Sequence, residues 1–160
     1  MAFANNPKIV RCADGGVPEV TDEHGEAATQ SFLKGQLVYL GTDGLLTECE
    51  SDTVLVFGRV LEDATGTTST ARQVEIIKPG DKIKMKLTNG GTATTSASYE
   101  HGVAYGFYEA SNIIYADLAE KTADAVVFLH GVEDKDGTEV AWGIFQVLDG
   151  ICQIGIGVGT

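Results

Sequence analysis

The residues of this 160-residue chain that could do chemistry are three histidines, three cysteines and a large excess of carboxylates. Their spacing does not assemble a reagent. His24, His101 and His130 are far apart and show neither H-x-x-x-H nor H-E-x-x-H, so no local element offers two imidazoles to one metal ion. Asp134-x-Asp136-Gly137 begins like a calcium loop but lacks its remaining ligands, including the glutamate at loop position 12, and an Asp-Gly turn accounts for it. A hydrolytic serine would need the strained G-x-S-x-G turn, and a phosphate cradle would need G-x-x-x-x-G-K-[ST] or G-x-G-x-x-G ahead of a helix. Gly155-x-Gly157-x-Gly159 has no helix after it. Cys12, Cys49 and Cys152 form no C-x-x-C pair and read as small apolar residues, with a disulfide between two of them left open. The expectation is a non-enzyme with no catalytic residue, no metal and no cofactor.

Two other groups carry binding potential. Lys82, Lys84 and Lys86 alternate with Ile83, Met85 and Leu87, and a period of two sends the ammoniums to one face of a strand and the apolar side chains to the other. With Arg72 and Lys78 this short region holds five of the eleven basic residues. The lysines either guard a sheet edge against pairing with another chain or form a stripe that docks on an acidic protein surface. Tyr105, Phe107 and Tyr108 are aromatics of the kind that fill a β core or sit between subunits, with ligand stacking the lesser use.

The elements that must position these groups read as strands. Residues 34–87 consist of short runs rich in Val, Ile, Leu, Tyr and Phe, closed by Gly, Asp or Pro-Gly. Gln36–Leu40 and Leu45–Glu48 form a hairpin across Thr42-Asp43-Gly44. Val54–Leu61 is nearly continuous in apolar character, as in a central strand covered on both faces, with Gly58 marking a bulge or a close backbone approach. Arg72–Lys78 and Lys82–Leu87 flank the Pro79-Gly80 turn. Residues 88–98 read as a loop or weak edge strand. Asn112–Thr122 suits either a helix face or a strand followed by a turn. Ala125–Val132 and Glu139–Leu148 are strands joined through Asp136-Gly137, and the Gly-rich ending either closes a barrel or lies against another chain. A faint echo between residues 51–63 and 123–134 hints at two similar lobes. Residues 1–30, with two of the three prolines and scattered acids, read as an extended N-terminal arm, either folded over the domain or ordered on a partner; 31–160 is the β domain. The fold class is mainly β, an antiparallel β-barrel, β-tulip or sandwich with at most one short helix.

Composition sets limits on partners. A net charge of −12 repels phosphate, so nucleic-acid binding would require a local basic patch, and none is expected to serve that purpose. No apolar stretch approaches the roughly 20 residues that span a bilayer, and M-A-F-A-N-N-P-K has no basic region leading into an apolar core. A chain made in the cytoplasm, with no membrane partner, follows.

The pattern G-Q-L-V-Y-L-G at 35–41, the paired Leu45-Leu46, V-F-G-R-V-L-E-D-A at 56–64 and V-E-I-I-K-P-G-D-K-I at 74–83 resembles the capsid decoration (cement) proteins of tailed bacteriophages. The likeness covers about a third of the chain, while residues 88–160 match no family pattern. The resemblance implies a β domain on the capsid exterior of a virion, a homotrimer that bridges major capsid protein subunits and stabilises the head. By position, the candidate contacts with the capsid or between subunits are Phe3, Pro7, Ile9, Val10, Lys82, Lys84, Lys86, Tyr105 and Tyr108. Two alternatives stand beside it. One is a carbohydrate- or protein-binding β module using Tyr105, Tyr108 and Trp142. The other is a small barrel enzyme of dUTPase-like kind whose residues converge only in space.

Overall fold

The computed structural model describes residues 6–51, 53–92, 100, 102–120, 127–133, 142–148 and 151–153, with backbone alone over 128–133. Among them every regular element is a strand: β1 (Lys8–Arg11), β2 (Val20–Thr21), β3 (Leu37–Leu40), β4 (Leu46–Glu48), β5 (Gly58–Val60), β6 (Val74–Ile76), β7 (Lys82–Thr88), β8 (Ala104–Ala110), β9 (Ile113–Asp117), β10 (Val127–Glu133) and β11 (Trp142–Val147). The protein is mainly β. A six-stranded sheet has the order β1-β7-β11-β10-β8-β9, and a five-stranded sheet has the order β2-β6-β5-β3-β4. The larger sheet curls: β9 also pairs, in parallel, with the C-terminal half of β7, while β1 takes the N-terminal half of the same edge. The eleven strands do not join into one closed barrel.

β7 shows why the larger sheet forms where it does. Ile83, Met85 and Leu87 are at most 2% exposed and meet Tyr105, Phe107, Ile114, Val127 and Phe145 from β8–β11. Leu37, Cys49, Val56, Ile77 and Cys152 close that core from the side of the smaller sheet. A second core lies around Phe32, Val38, Leu40, Leu46, Phe57, Val60 and Val74. β3 serves both, since Leu37 belongs to one cluster and Val38 and Leu40 to the other. The three cysteines are buried and unbridged.

Turn chemistry decides the connections. In the β3–β4 hairpin, Gly44 adopts φ 76° and the Asp43 carboxylate accepts from Leu45 N at 3.0 Å, as anticipated for Thr42-Asp43-Gly44. After Pro79, Gly80 sits at φ 86°. The buried Asp81 carboxylate then accepts from Lys78 N (2.9 Å) and Ala13 N (2.8 Å), tying the N-terminal segment to the turn. Over its described residues, 112–120, the ambiguous segment is a strand followed by a turn, and residues 121–122 lie outside the described residues. Ser111 and Asn112 both have positive φ, 53° and 61°, the two-residue turn whose twist suits a hairpin, and β8 and β9 pair from Ala110↔Ile113 onward.

Two expectations are corrected. Val54–Leu61 is not one strand, since only Gly58–Val60 is. The run changes partners within itself: Val56 N donates to Ile151 O and Gln153 N to Val56 O, whereas Phe57 N donates to Val38 O in the smaller sheet. Val54 consequently lies outside the double cover, 39% exposed. Nor does the 51–63/123–134 echo extend to the topology, because β3 and β5 are neighbours while β8 separates β9 from β10.

The described part of the N-terminal segment, residues 6–30, lies on the domain. Asn6 is fully buried, its amide donating to Asn112 O (2.7 Å) and accepting from Ile114 N (3.0 Å). β1 pairs with β7, and β2 pairs with β6.

Gly58 is the close approach anticipated from sequence. A Cβ there would collide with the Glu75 carbonyl oxygen and come within 2.6 Å of Val74 Cγ1, on the strand paired beside it. Gly58→Ala is expected to lower unfolding free energy by about 1–3 kcal/mol, the usual cost of forcing extra volume into a packed site. Urea denaturation checks this, with an unchanged midpoint as the contrary result.

Candidate functional site

On the outward face of the larger sheet, β1, β7 and β11 lie side by side. Lys8 opposes Lys84, Trp142 opposes Lys86 and Gln146 opposes Lys82. Alternation along β7 buries Ile83, Met85 and Leu87 and leaves Lys82, Lys84 and Lys86 half-buried on the outside. On β11 the same alternation buries Gly143, Phe145 and Val147 and turns Trp142, Ile144 and Gln146 outward.

Three ammoniums converge on one indole. Lys84 Nζ lies 5.4 Å, Lys86 Nζ 5.5 Å and Lys8 Nζ 5.6 Å from the Trp142 ring centroid. Lys82 Nζ donates to Gln146 Oε1 at 2.9 Å along the same face. Each cation–π contact is worth about 0.5–1 kcal/mol at an exposed site. Against this, two unit charges about 10 Å apart in water repel by roughly 0.4 kcal/mol, and by more beside a low-dielectric surface. Burial lowers the Lys86 pKa below its ordinary value. The arrangement concentrates positive charge about one aromatic ring.

The other cations of the basic region lie elsewhere. Lys78 pairs with Glu19 at 2.7 Å, and Arg72 Nε binds Glu26 Oε2 at 2.7 Å. The basic face is therefore made by β7 together with Lys8, around Trp142. As a sheet-edge guard, β7 is excluded by its position, since β1 and β9 cover one side and β11 the other.

The remaining candidates scatter. Phe3 lies outside the described residues. Pro7 is buried, Ile9 packs against the larger core and Val10 is 48% exposed. Tyr105 is a correction: it is fully buried, its hydroxyl accepting from Glu100 N at 2.9 Å, so its ring offers no surface to capsid, subunit or sugar. Tyr108, three residues on, takes the opposite side of β8 and is half-buried, its ring over Gly91 where a Cβ would collide. A sugar platform of Tyr105, Tyr108 and Trp142 is therefore not assembled. Lys8 escaped sequence reasoning because only the antiparallel register with β7 brings it to Trp142.

Glu26 is the carboxylate most like a reactive group, and its surroundings show a staple. It is fully buried. Oε1 accepts from Thr65 N (3.0 Å), Thr65 Oγ1 (2.8 Å) and Thr67 N (2.8 Å), and Oε2 from Arg72 Nε. Desolvation pushes its pKa upward, but these hydrogen bonds together hold it below the ordinary carboxylate range. A shallow groove of about 330 Å³ is lined, among the described residues, by Tyr39, Ser51, Thr53, Val54 and Leu55. Among the described residues no three His, Cys, Asp or Glu side chains cluster as metal ligands.

Comparison with known proteins finds no family model that matches this chain and no curated protein that matches it.

Glu26→Gln should cost about 3 kcal/mol at neutral pH, because it leaves the Arg72 guanidinium without its buried counter-charge. A depressed carboxylate pKa contributes stability that is present above the ordinary value, 4.5, and lost as pH falls through the folded-state value. The gap between the parent and Glu26→Gln, followed by urea denaturation against pH, should hold above about pH 4.5 and narrow below it. A gap independent of pH is the contrary result.

Proposed function

We propose that this chain is an adhesive structural protein, a capsid decoration protein that attaches to the outer surface of an assembled phage head, its major capsid protein subunits forming the partner surface. The observation that carries this reading is the gathering of Lys8, Lys84 and Lys86 around Trp142, with Lys82 on the same face beside Gln146, in a protein whose net charge is −12. Such a face recognises negative surface on a partner, while the acidic remainder discourages adhesion to the wrong ones. The likeness of residues 35–41, 56–64 and 74–83 to decoration proteins supports the choice of partner.

The action is mass action. A protein that binds the assembled lattice and not the free subunits adds its binding free energy to the lattice at every site. On this reading the copies sit as homotrimers, each spanning neighbouring subunits. Point substitutions test the surface better than removal of residues 2–15, because that deletion would also take away Asn6 and β1 and uncover the edge of β7.

Heads stripped of this chain and remixed with it should carry it down on sedimentation, whereas unassembled capsid subunits should not. Lys84→Glu/Lys86→Glu should lower affinity for heads about tenfold or more, a change of roughly 1.4 kcal/mol. No sedimentation with heads, or equal binding to free subunits, would count against the reading.

A further inference from the structure

The Trp142 face has a spacing as well as a charge. Lys82, Lys84 and Lys86 project from alternate positions of one strand, so their side chains leave the backbone at intervals of roughly 6.6–6.8 Å. Any extended polypeptide repeats its side chains on one face at that same interval. An extended segment carrying Asp or Glu at every second position therefore presents carboxylates in step with the lysines. Lys8, on the strand beside β7, gives the array a second row, and Trp142 closes its other side opposite Lys86. β7 is hydrogen-bonded on both sides, so such a segment would lie across the face through its side chains rather than join the sheet.

We infer that Lys8, Lys82, Lys84, Lys86 and Trp142 form a binding site for an extended acidic segment of a partner protein, with alternate carboxylates seated among the ammoniums beside the indole. This deepens the adhesive reading above, on which it rests for the identity of the partner. Charge and extent both favour a short acidic segment over a nucleic acid. From Lys82 to Lys86 the array is roughly 13 Å long, and beyond it a long polyanion would meet a chain with 23 acidic residues against 11 basic ones. A short segment confines its charge to the array. Carboxylate–ammonium hydrogen bonds on a half-buried face are stronger than their counterparts in open water.

Trp142 is the only tryptophan in the chain, so its fluorescence reports on this site alone. The full-length protein is titrated with a capped peptide of alternating Glu and Ser, with its Lys–Ser counterpart, and with oligothymidylate. The expected result is a saturable change in Trp142 emission with the Glu–Ser peptide only, weakening as salt is raised. In Lys84→Gln/Lys86→Gln the affinity should fall about tenfold or more. Lys8→Gln, which leaves β7 intact, should weaken binding by a smaller factor and covers the case in which the double variant does not fold.

Three results would overturn the inference: no saturable change with the Glu–Ser peptide, undiminished affinity in the folded variants, or tighter binding of oligothymidylate than of the peptide. The two readings separate cleanly. Sedimentation with heads but no response to the peptide removes this inference and leaves the decoration reading standing. Peptide binding without attachment to heads removes the decoration reading and leaves the acidic-segment site.

Discussion

Ile83, Met85 and Leu87 face the larger core while Lys82, Lys84 and Lys86 face outward, and much of this molecule depends on keeping that alternation in register. A slip of β7 by one residue would drive three ammoniums into a cluster of Tyr105, Phe107, Ile114 and Phe145, where a charge without a partner is prohibitively costly. The register is held from both sides. β1 and β9 share one edge of β7, and β11 occupies the other. That registry places Lys8 beside Lys84 and Trp142 beside Lys86, so the force that builds the core also builds the surface site.

The distribution of the other cations sharpens this. Arg59 bonds Glu75 at 3.0 Å, Arg72 is held by the buried Glu26, and Lys78 reaches Glu19. These three pairs tie the smaller sheet and its loops together. Lys8, Lys84 and Lys86, on β1 and β7, instead gather about the Trp142 ring. On the adhesive reading proposed above, a partner would have to offer negative charge at one place and avoid it elsewhere. Several deeply buried groups are held by internal bonds: Glu26 by Thr65, Thr67 and Arg72, Asp81 by two backbone amides, and the Cys152 thiol by the Ile77 carbonyl.

Much of the local structure was readable in advance. Asp43-Gly44 and Pro79-Gly80 marked their turns because positive φ and preset φ are properties of single residues. Gly58 announced a close approach for the same reason, and the two-faced character of β7 followed from a period of two. The segment after Asn112 was not readable. Ile113, Ile114 and Leu118 fit either period, and what decided for strand was a pair of positive-φ residues, Ser111 and Asn112, neither of them glycine. Tyr105 and Tyr108 looked alike in the sequence, yet their three-residue separation sends one into the core and the other toward Gly91.

By itself, then, the order of residues determined the β class, the main turns and the existence of a basic strand face, because each of these is set by steric and hydrophobic preferences acting over a few neighbours. The tertiary structure alone decided that the N-terminal segment is anchored through Asn6, that the apolar run 54–61 is divided between two sets of partners, and that Lys8 and Trp142 join the lysines of β7. Those outcomes arise from contacts between residues far apart in the chain, Asn6 with Ile114 across 108 positions among them. Contacts at that range are selected by how the whole set of apolar faces packs, a property that no local stretch of sequence contains.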